Sequence, residues 1–414
     1  MTTAVTEPTQ TAQRDRSISP WLLLVLALLS AVAPVATDLY LPAFPEMTVE
    51  LHASATAVQL TLTAFLLGLT FGQLAFGPLS DRIGRRGPLV VGTLLCVVAS
   101  AVAAMAPTVG ILVTARFAQG FTGAAGMVIG RAVISDLATG KAAARAFSLM
   151  MIVGGIAPVV APFAGGLLVG PVGWRGILWV VGGIAVAMFV ATVALVRESH
   201  PKERRAALKA HAADGVSPWH ELRSRTYIGN TLAFGFGFAV MMAYISASPF
   251  VYQVMLGLTP MQYGIAFAVN ALGLTAVSAL SARLTASISS RKLLGAGLGL
   301  TLAATLTLLG LVLTGAPAWT IAIPIFVAVS CQGLILGNAT ALALSAVPRA
   351  AGAGSAGLGA VQFGLGAAVS PLVGLGGEHT ALPLAVVMVT LSVLAMAAYL
   401  SGGRTSADQR PAQR

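Results

Sequence analysis

Charged residues are scarce in this sequence. They make up 9% of the 414 residues, whereas 57% are hydrophobic, and the mean hydropathy is +0.88. A soluble domain has about 25% charged residues, so most of the surface of this chain cannot face water. The composition therefore excludes an ordinary soluble protein and predicts an integral membrane protein.

Residues that bind metals or phosphates are also few. Cys96 and Cys331 lie far apart in apolar segments, so we expect two buried thiols rather than a disulfide or a metal site. The five histidines fall in predicted loops, and the sequence has no glycine-rich phosphate-binding motif. We therefore expect no metal, no cofactor and no direct use of ATP.

Long apolar segments divide the chain. A membrane-spanning helix needs roughly 20 apolar residues. Segments of that size lie at 20–43, 57–77, 88–106, 108–130, 145–169, 174–196, 226–251, 262–282, 293–314, 318–342, 354–376 and 381–402. The first is too long for the core of a signal peptide, so we expect it to be the first membrane helix.

The twelve segments form two groups of six. The predicted organisation is a cytoplasmic tail (1–19), a six-helix bundle (20–196), a solvated cytoplasmic linker (197–225), a second six-helix bundle (226–402) and a cytoplasmic tail (403–414). Gln119-Gly120 in the fourth helix is echoed by Gln332-Gly333 in the tenth. The predicted fold is an all-α integral membrane protein whose twelve transmembrane helices form two six-helix pseudo-repeats around a central cavity.

Basic residues orient the chain in the membrane. Nearly all of the 24 Lys and Arg residues lie in tails and loops on one side of the predicted bilayer. Because cytoplasmic loops are enriched in basic residues, we expect both termini in the cytoplasm and the protein in the bacterial inner membrane. The net charge of +11 then reflects topology, and we expect no nucleic-acid partner.

The most specific motif follows the second predicted helix. We expect it to form a charged latch and a tight turn, using Gly77, Asp81, Arg82, Gly84, Arg85 and Arg86. The motif resembles the signature loop of the major facilitator superfamily, and this resemblance implies that Asp136 completes the latch. The alternative, a basic loop that only sets topology, does not account for Asp81 or the glycines.

Two further motifs resemble one branch of that superfamily. The sequence from Thr37 to Pro45 resembles the hallmark of the Bcr/CflA-type drug-resistance branch, which belongs to the twelve-helix drug:proton antiporters. A motif in the fifth helix resembles the antiporter signature Gly-Pro-x-x-Gly-Gly, although Ala161 replaces its first glycine; its residues are Pro158, Pro162, Gly165 and Gly166. The resemblance extends over almost the whole chain and implies proton-driven drug export.

Two charged residues fall inside predicted membrane helices. Asp38 is the one carboxylate placed there, at a cost of roughly 2.5–3.5 kcal/mol on insertion scales, which makes it a candidate proton carrier. The alternative is an interfacial cap at the helix end near Pro42. Arg116 cannot lose its proton, but it can tune Asp38 or bind substrate; alternatively, it ties backbone carbonyls together.

Polar residues in apolar helices are candidates for the cavity wall. They are Tyr40, Gln59, Asn230, Tyr244, Asn270, Gln332, Asn338 and Gln362. We expect a monomer in the lipid bilayer that exports small, neutral, drug-like molecules in exchange for protons. A nutrient importer of the same fold is the first alternative. An enzyme or a channel is the second, and it would need a further catalytic group or ion-lining rings, which we do not find.

Overall fold

The computed structural model describes residues 19–138, 140–201 and 219–402. Within these ranges the chain is helical and contains no strand, which confirms the predicted all-α fold. The two predicted tails, except for Ser19, and the middle of the predicted linker lie outside the described residues.

Eleven helices in the described ranges are long and apolar enough to cross a membrane. One helix, Gly140–Leu195, has 56 residues. At 1.5 Å per residue its length is more than twice the roughly 30 Å thickness of the hydrocarbon core of a membrane. Gly173, with φ 64° and ψ 178°, divides it into two spans. The twelve helices are α1 Pro20–Asp38, α2 Ala55–Ile83, α3 Arg86–Ala104, α4 Val109–Leu137, α5 140–172, α6 174–195, α7 Arg225–Pro249, α8 Pro260–Leu284, α9 Ser290–Leu313, α10 Ala322–Ser345, α11 Ala351–Val373 and α12 Leu382–Ser401.

The first helix ends earlier than its apolar segment predicts. α1 stops at Asp38, and a short 3-10 turn, Leu41–Ala43, leads into the helix Phe44–Glu50. Pro42 explains the break, because proline has no N–H to donate to the carbonyl of Asp38 one turn earlier. The carboxylate therefore lies at a helix terminus.

The second and fourth helices extend beyond their apolar segments. α2 and α4 have 29 residues each, since helical hydrogen bonding continues until a residue ends it. For α2 that residue is Gly84, whose φ of 107° is incompatible with the helix. Most of the predicted latch loop is thus the last turns of α2. Gly77 lies within this helix and not at a turn, which corrects the sequence-based expectation.

The two six-helix halves meet along two helix pairs. α2 packs against α11, and α5 packs against α8. A large buried apolar cluster includes side chains of both halves, among them Tyr40 and Phe44 from the first and Phe250 and Tyr263 from the second. These contacts leave a cavity between the halves.

Candidate transport site

The cavity has a volume of about 340 Å³. Helices α1, α2, α4 and α5 of the first half line it, together with α7, α8, α10 and α11 of the second half. Most of its wall is apolar and includes Phe238, Met241, Met242, Phe267 and Phe363. Ligand pockets typically span 300–1,000 Å³ and are mainly apolar with a few polar groups, so the cavity suits a small, largely apolar molecule.

Asp38 places a carboxyl group in the wall of this cavity. The residue is 5% exposed and lines the cavity, and the hydroxyl of Thr37 donates to its Oδ1 atom over 2.9 Å. Within the described residues Asp38 forms no ion pair, and it is the one acidic residue among those that line the cavity. The group is therefore buried, reachable from the cavity and free of a cation that would hold it charged.

Three of the eight polar candidates line the cavity, namely Tyr244, Asn270 and Gln362. Asn270 donates one side-chain N–H to the hydroxyl oxygen of Tyr244 over 3.0 Å and another to the carbonyl of Ala266 over 3.0 Å. The ring of Tyr244 stacks on that of Phe267, with centroids 5.5 Å apart. These contacts join α7 and α8 into one polar wall that faces the first half.

The other five candidates lie outside the cavity lining: Tyr40, Gln59, Asn230, Gln332 and Asn338. The side-chain amides of Asn230, Gln332 and Asn338 each donate to the backbone carbonyl one turn earlier in the same helix. Gln59 donates to the carbonyl of Ser246 over 3.0 Å and so joins the two halves.

Arg116 is fully buried between two aromatic rings. Its guanidinium carbon lies 4.3 Å from the ring centroid of Tyr40 and 4.4 Å from that of Phe65. It donates to the side-chain oxygen of Gln119 over 2.6 Å and to the carbonyl of Ala36 over 2.9 Å. Arg116 does not line the cavity. Its geometry matches the alternative in which it ties α4 to the end of α1, and its role in proton coupling stays a prediction.

Hydrogen bonds between the halves close the Asp38 end of the cavity. Thr56 donates to the carbonyl of Gly374 over 2.8 Å, and Gln253 donates to the carbonyl of Pro42 over 3.0 Å. The bond of Gln59 lies at the same end. At the opposite end the cavity reaches Arg131, an exposed residue of α4.

Arg131 is a cavity residue that sequence reasoning missed, because it follows the fourth apolar segment, where a loop is expected. The signal was the absence of proline and glycine between Gly130 and Leu137, which lets α4 continue.

The α5 motif joins three helices. It consists of Pro158, Pro162, Gly165 and Gly166, of which the first lines the cavity and the second and fourth pack against α8. A Cβ atom on Gly165 would lie 1.9 Å from the carbonyl oxygen of Leu39, and one on Gly166 would lie 2.5 Å from that of Pro260. These distances leave no room for a side chain. The motif therefore sets how closely α5 approaches both the end of α1 and the second half.

The latch residues meet at the opposite end of the molecule, around Arg85. Its guanidinium lies 2.5 Å from Asp81 and 3.0 Å from Asp136. The side chains of Arg85 and Asp136 are 9% and 10% exposed, whereas that of Asp81 is 62% exposed. Arg82 and Arg86 are exposed as well. The buried pair of the latch is thus Arg85 with Asp136.

Glu198 is a latch residue that sequence reasoning missed. Its carboxylate accepts the backbone N–H groups of Arg85 and Arg86 over 2.9 and 3.1 Å, and so caps the N-terminus of α3. Ser199 donates to Asp136 over 3.0 Å. The linker therefore begins packed against the latch, unlike the solvated segment we predicted from residue 197 onward. The available signal was an acidic residue three positions after the end of α6.

Comparisons with known proteins agree with this architecture. Residues 26–371 match the model of the Major Facilitator Superfamily. The chain is 36% identical to an uncharacterized MFS-type transporter, YdgK, of Bacillus subtilis (strain 168), over 91% of this chain and 93% of that protein. It is 30% identical to a bicyclomycin resistance protein homolog of Haemophilus influenzae, over 91% of this chain and 94% of that protein.

Among solved structures, the chain is similar to a bacterial homolog of the human lysosomal transporter Spinster, with a TM-score of 0.75 and 19% identity over 96% of this chain and 100% of that one. At this identity the likeness concerns the fold. The architecture is that of a two-domain helical membrane transporter and not of an enzyme. The chain belongs to the Major Facilitator Superfamily, which confirms the resemblance seen in its latch motif.

Proposed function

We propose that the protein is a proton-coupled antiporter that exports small, neutral, drug-like molecules from the cytoplasm. The observation that carries the proposal is the position of Asp38, a buried carboxyl group in the cavity wall without an ion-pair partner among the described residues. Such a group can take up a proton from one side of the membrane and release it to the other. The resistance name of the Haemophilus influenzae relative supports drugs as the substrates.

The arrangement of the halves supports alternating access. The basic tails and loops support a cytoplasmic position for the latch end. In this orientation the cavity would be open inward and closed outward by contacts such as Gln59 with Ser246. Rocking of the halves would break these contacts and expose Asp38 to the outside. A proton bound there would displace the drug, and its loss to the cytoplasm would reset the cavity.

The available energy is sufficient. One elementary charge that moves down 100 mV releases about 2.3 kcal/mol, which sustains roughly a fiftyfold gradient of a neutral solute. The apolar wall around Met241 and Met242 fits such solutes, because flexible thioether side chains adapt to ligands of different shape.

The test replaces Asp38 with asparagine, which has nearly the same shape but cannot titrate. In proteoliposomes, Asp38→Asn should bind drug with an affinity within a fewfold of the wild type, yet show no efflux driven by a pH gradient and no proton release on drug addition. Glu378→Gln is the matched control, because Glu378 lies away from this cavity; this variant should stay coupled. Full pH-driven efflux by Asp38→Asn would reject the mechanism, and proton-stimulated uptake by the wild type would favour the importer.

A further inference from the structure

The α7–α8 wall of the cavity contains a buried amide with one unused atom. Asn270 is 3% exposed. Its side-chain nitrogen donates to the carbonyl of Ala266 and the hydroxyl oxygen of Tyr244, both over 3.0 Å, and more weakly to the hydroxyl oxygen of Tyr252 over 3.5 Å. A carbonyl oxygen only accepts hydrogen bonds, so the side-chain atom beside Ala266 is the nitrogen. The Oδ1 atom is left as an acceptor, and within the described residues no donor bonds to it.

Tyr244 supplies the complementary group beside it. Its hydroxyl oxygen accepts the bond from Asn270, so its own proton remains to be donated. The hydroxyl makes no further hydrogen bond within the described part of the chain. Stacking on Phe267 holds the ring in place. An available donor and an available acceptor therefore belong to two hydrogen-bonded residues of the cavity lining.

Other buried amides lack this combination. Gln59, Asn230 and Gln332 also have an oxygen without a donor among the described residues, but none of the three lines the cavity. Of these four amides, only Asn270 is among the residues that line the cavity. An acceptor buried without a donor is unfavourable, so a ligand whose N–H group bonds to this oxygen would remove that cost.

We propose that Tyr244 and Asn270 form the substrate-recognition pair of the cavity and select neutral secondary amides, in particular lactams. The amide carbonyl of the ligand accepts from the Tyr244 hydroxyl, and its N–H donates to Oδ1 of Asn270. A lactam presents both groups on one edge, which matches two neighbouring protein groups. Since both groups of the pair are neutral, the pair itself offers no opposite charge that would compensate a charged ligand for its lost hydration. The inference rests on the proposed function, because it names the substrate class of the same cavity.

The test compares 2-quinolone with N-methyl-2-quinolone, two rigid lactams that differ at the N–H group. Binding is measured by calorimetry on the full-length protein in nanodiscs. One neutral hydrogen bond corresponds to about a two- to tenfold change in affinity, so the wild type should bind 2-quinolone more tightly by such a factor. Asn270→Leu should abolish this preference. Tyr244→Phe should weaken both ligands by a similar factor and keep the preference, because both ligands carry the carbonyl.

Asn230→Leu is the matched control. Asn230 has the same bond to a carbonyl one turn earlier and the same unused oxygen, but it lies outside the cavity lining, so its variant should keep both affinities. Equal binding of the two quinolones by the wild type, no binding of either, or a retained preference in Asn270→Leu would overturn the inference. If Asn270→Leu does not fold, Tyr244→Phe decides: parallel weakening of both ligands supports the pair, and unchanged affinities reject it.

Proton release is recorded in the same samples. A lactam preference without proton release would support the recognition pair and reject the proposed antiport. Proton release without a lactam preference would support the antiport and reject the recognition pair. The failure of one proposal can therefore be told from the failure of the other.

Discussion

Glu198 and Gly84 fit together with no space for a side chain between them. A Cβ atom on Gly84 would lie 2.6 Å from Oε2 of Glu198, and the φ angle of Gly84 is 107°. The same carboxylate caps the first turn of α3. The glycine thus allows the first residues of the linker to pack against the α2–α3 turn. This contact connects the latch to the segment that joins the two halves.

Replacement of Gly84 by alanine should weaken the latch. The backbone conformation there is nearly restricted to glycine and costs another residue about 1–3 kcal/mol, to which the contact with Glu198 adds. We expect a lower melting temperature in detergent and slower transport. Gly87→Ala is the control, because no atom lies within 4 Å of the position of its Cβ. Equal stability of the two variants would show that the Glu198 contact is dispensable.

The two carboxylates of the latch should differ in importance. Asp136 is largely buried against Arg85, whereas Asp81 is mostly exposed. Exposed ion pairs contribute about 0–1 kcal/mol, but loss of one partner of a buried pair leaves the other charge uncompensated and costs more. Asp136→Asn should therefore lower thermal stability and transport more than Asp81→Asn, with drug affinity within a fewfold of the wild type in both. The opposite order, measured in equally expressed proteins, would contradict this.

The fold could be predicted from hydropathy because the bilayer forces backbone groups to pair within each segment. The helix ends could not. Polar residues continue α2 to Ile83 and α4 to Leu137, and nothing in the apolar segments marks those limits. The break after Asp38 follows from Pro42, and this proline is visible in the sequence.

The site was predictable only in part. Asp38 is conspicuous because acids are costly inside the membrane. Amide side chains are less informative: Asn230 and Asn270 both bond to a carbonyl one turn earlier, yet only the second lines the cavity. The sequence does not reveal which face of a helix meets the other half, since most faces of these helices are apolar.

The contact of Gly166 with Pro260 should control the balance between conformations. This contact joins the two halves at the closed end, whereas Gly165 contacts Leu39 within one half. A methyl group on Gly166 obstructs only the closed arrangement, so Gly166→Ala should shift the population toward the outward-open state. Gly155→Ala is the control, because no atom lies within 4 Å of its Cβ position.

The shift can be measured by labelling a cysteine at Val251, which is 3% exposed in the closed state. With Cys96 and Cys331 replaced by alanine, Gly166→Ala should accelerate maleimide labelling of Val251→Cys severalfold, and Gly155→Ala should not. Equal labelling rates in the two variants would show that this contact does not set the balance.

Arg116 should prove to be a structural residue. Its planar guanidinium fills the space between Tyr40 and Phe65 and donates to two separate oxygens, those of Ala36 and Gln119, which a lysine ammonium cannot reproduce. Loss of these bonds should lower the free energy of unfolding of Arg116→Lys by about 1–3 kcal/mol. The remaining folded protein should release as many protons per bound drug as the wild type. Stable, drug-binding Arg116→Lys protein that releases no protons would instead show that the guanidinium tunes the carboxyl group of the cavity.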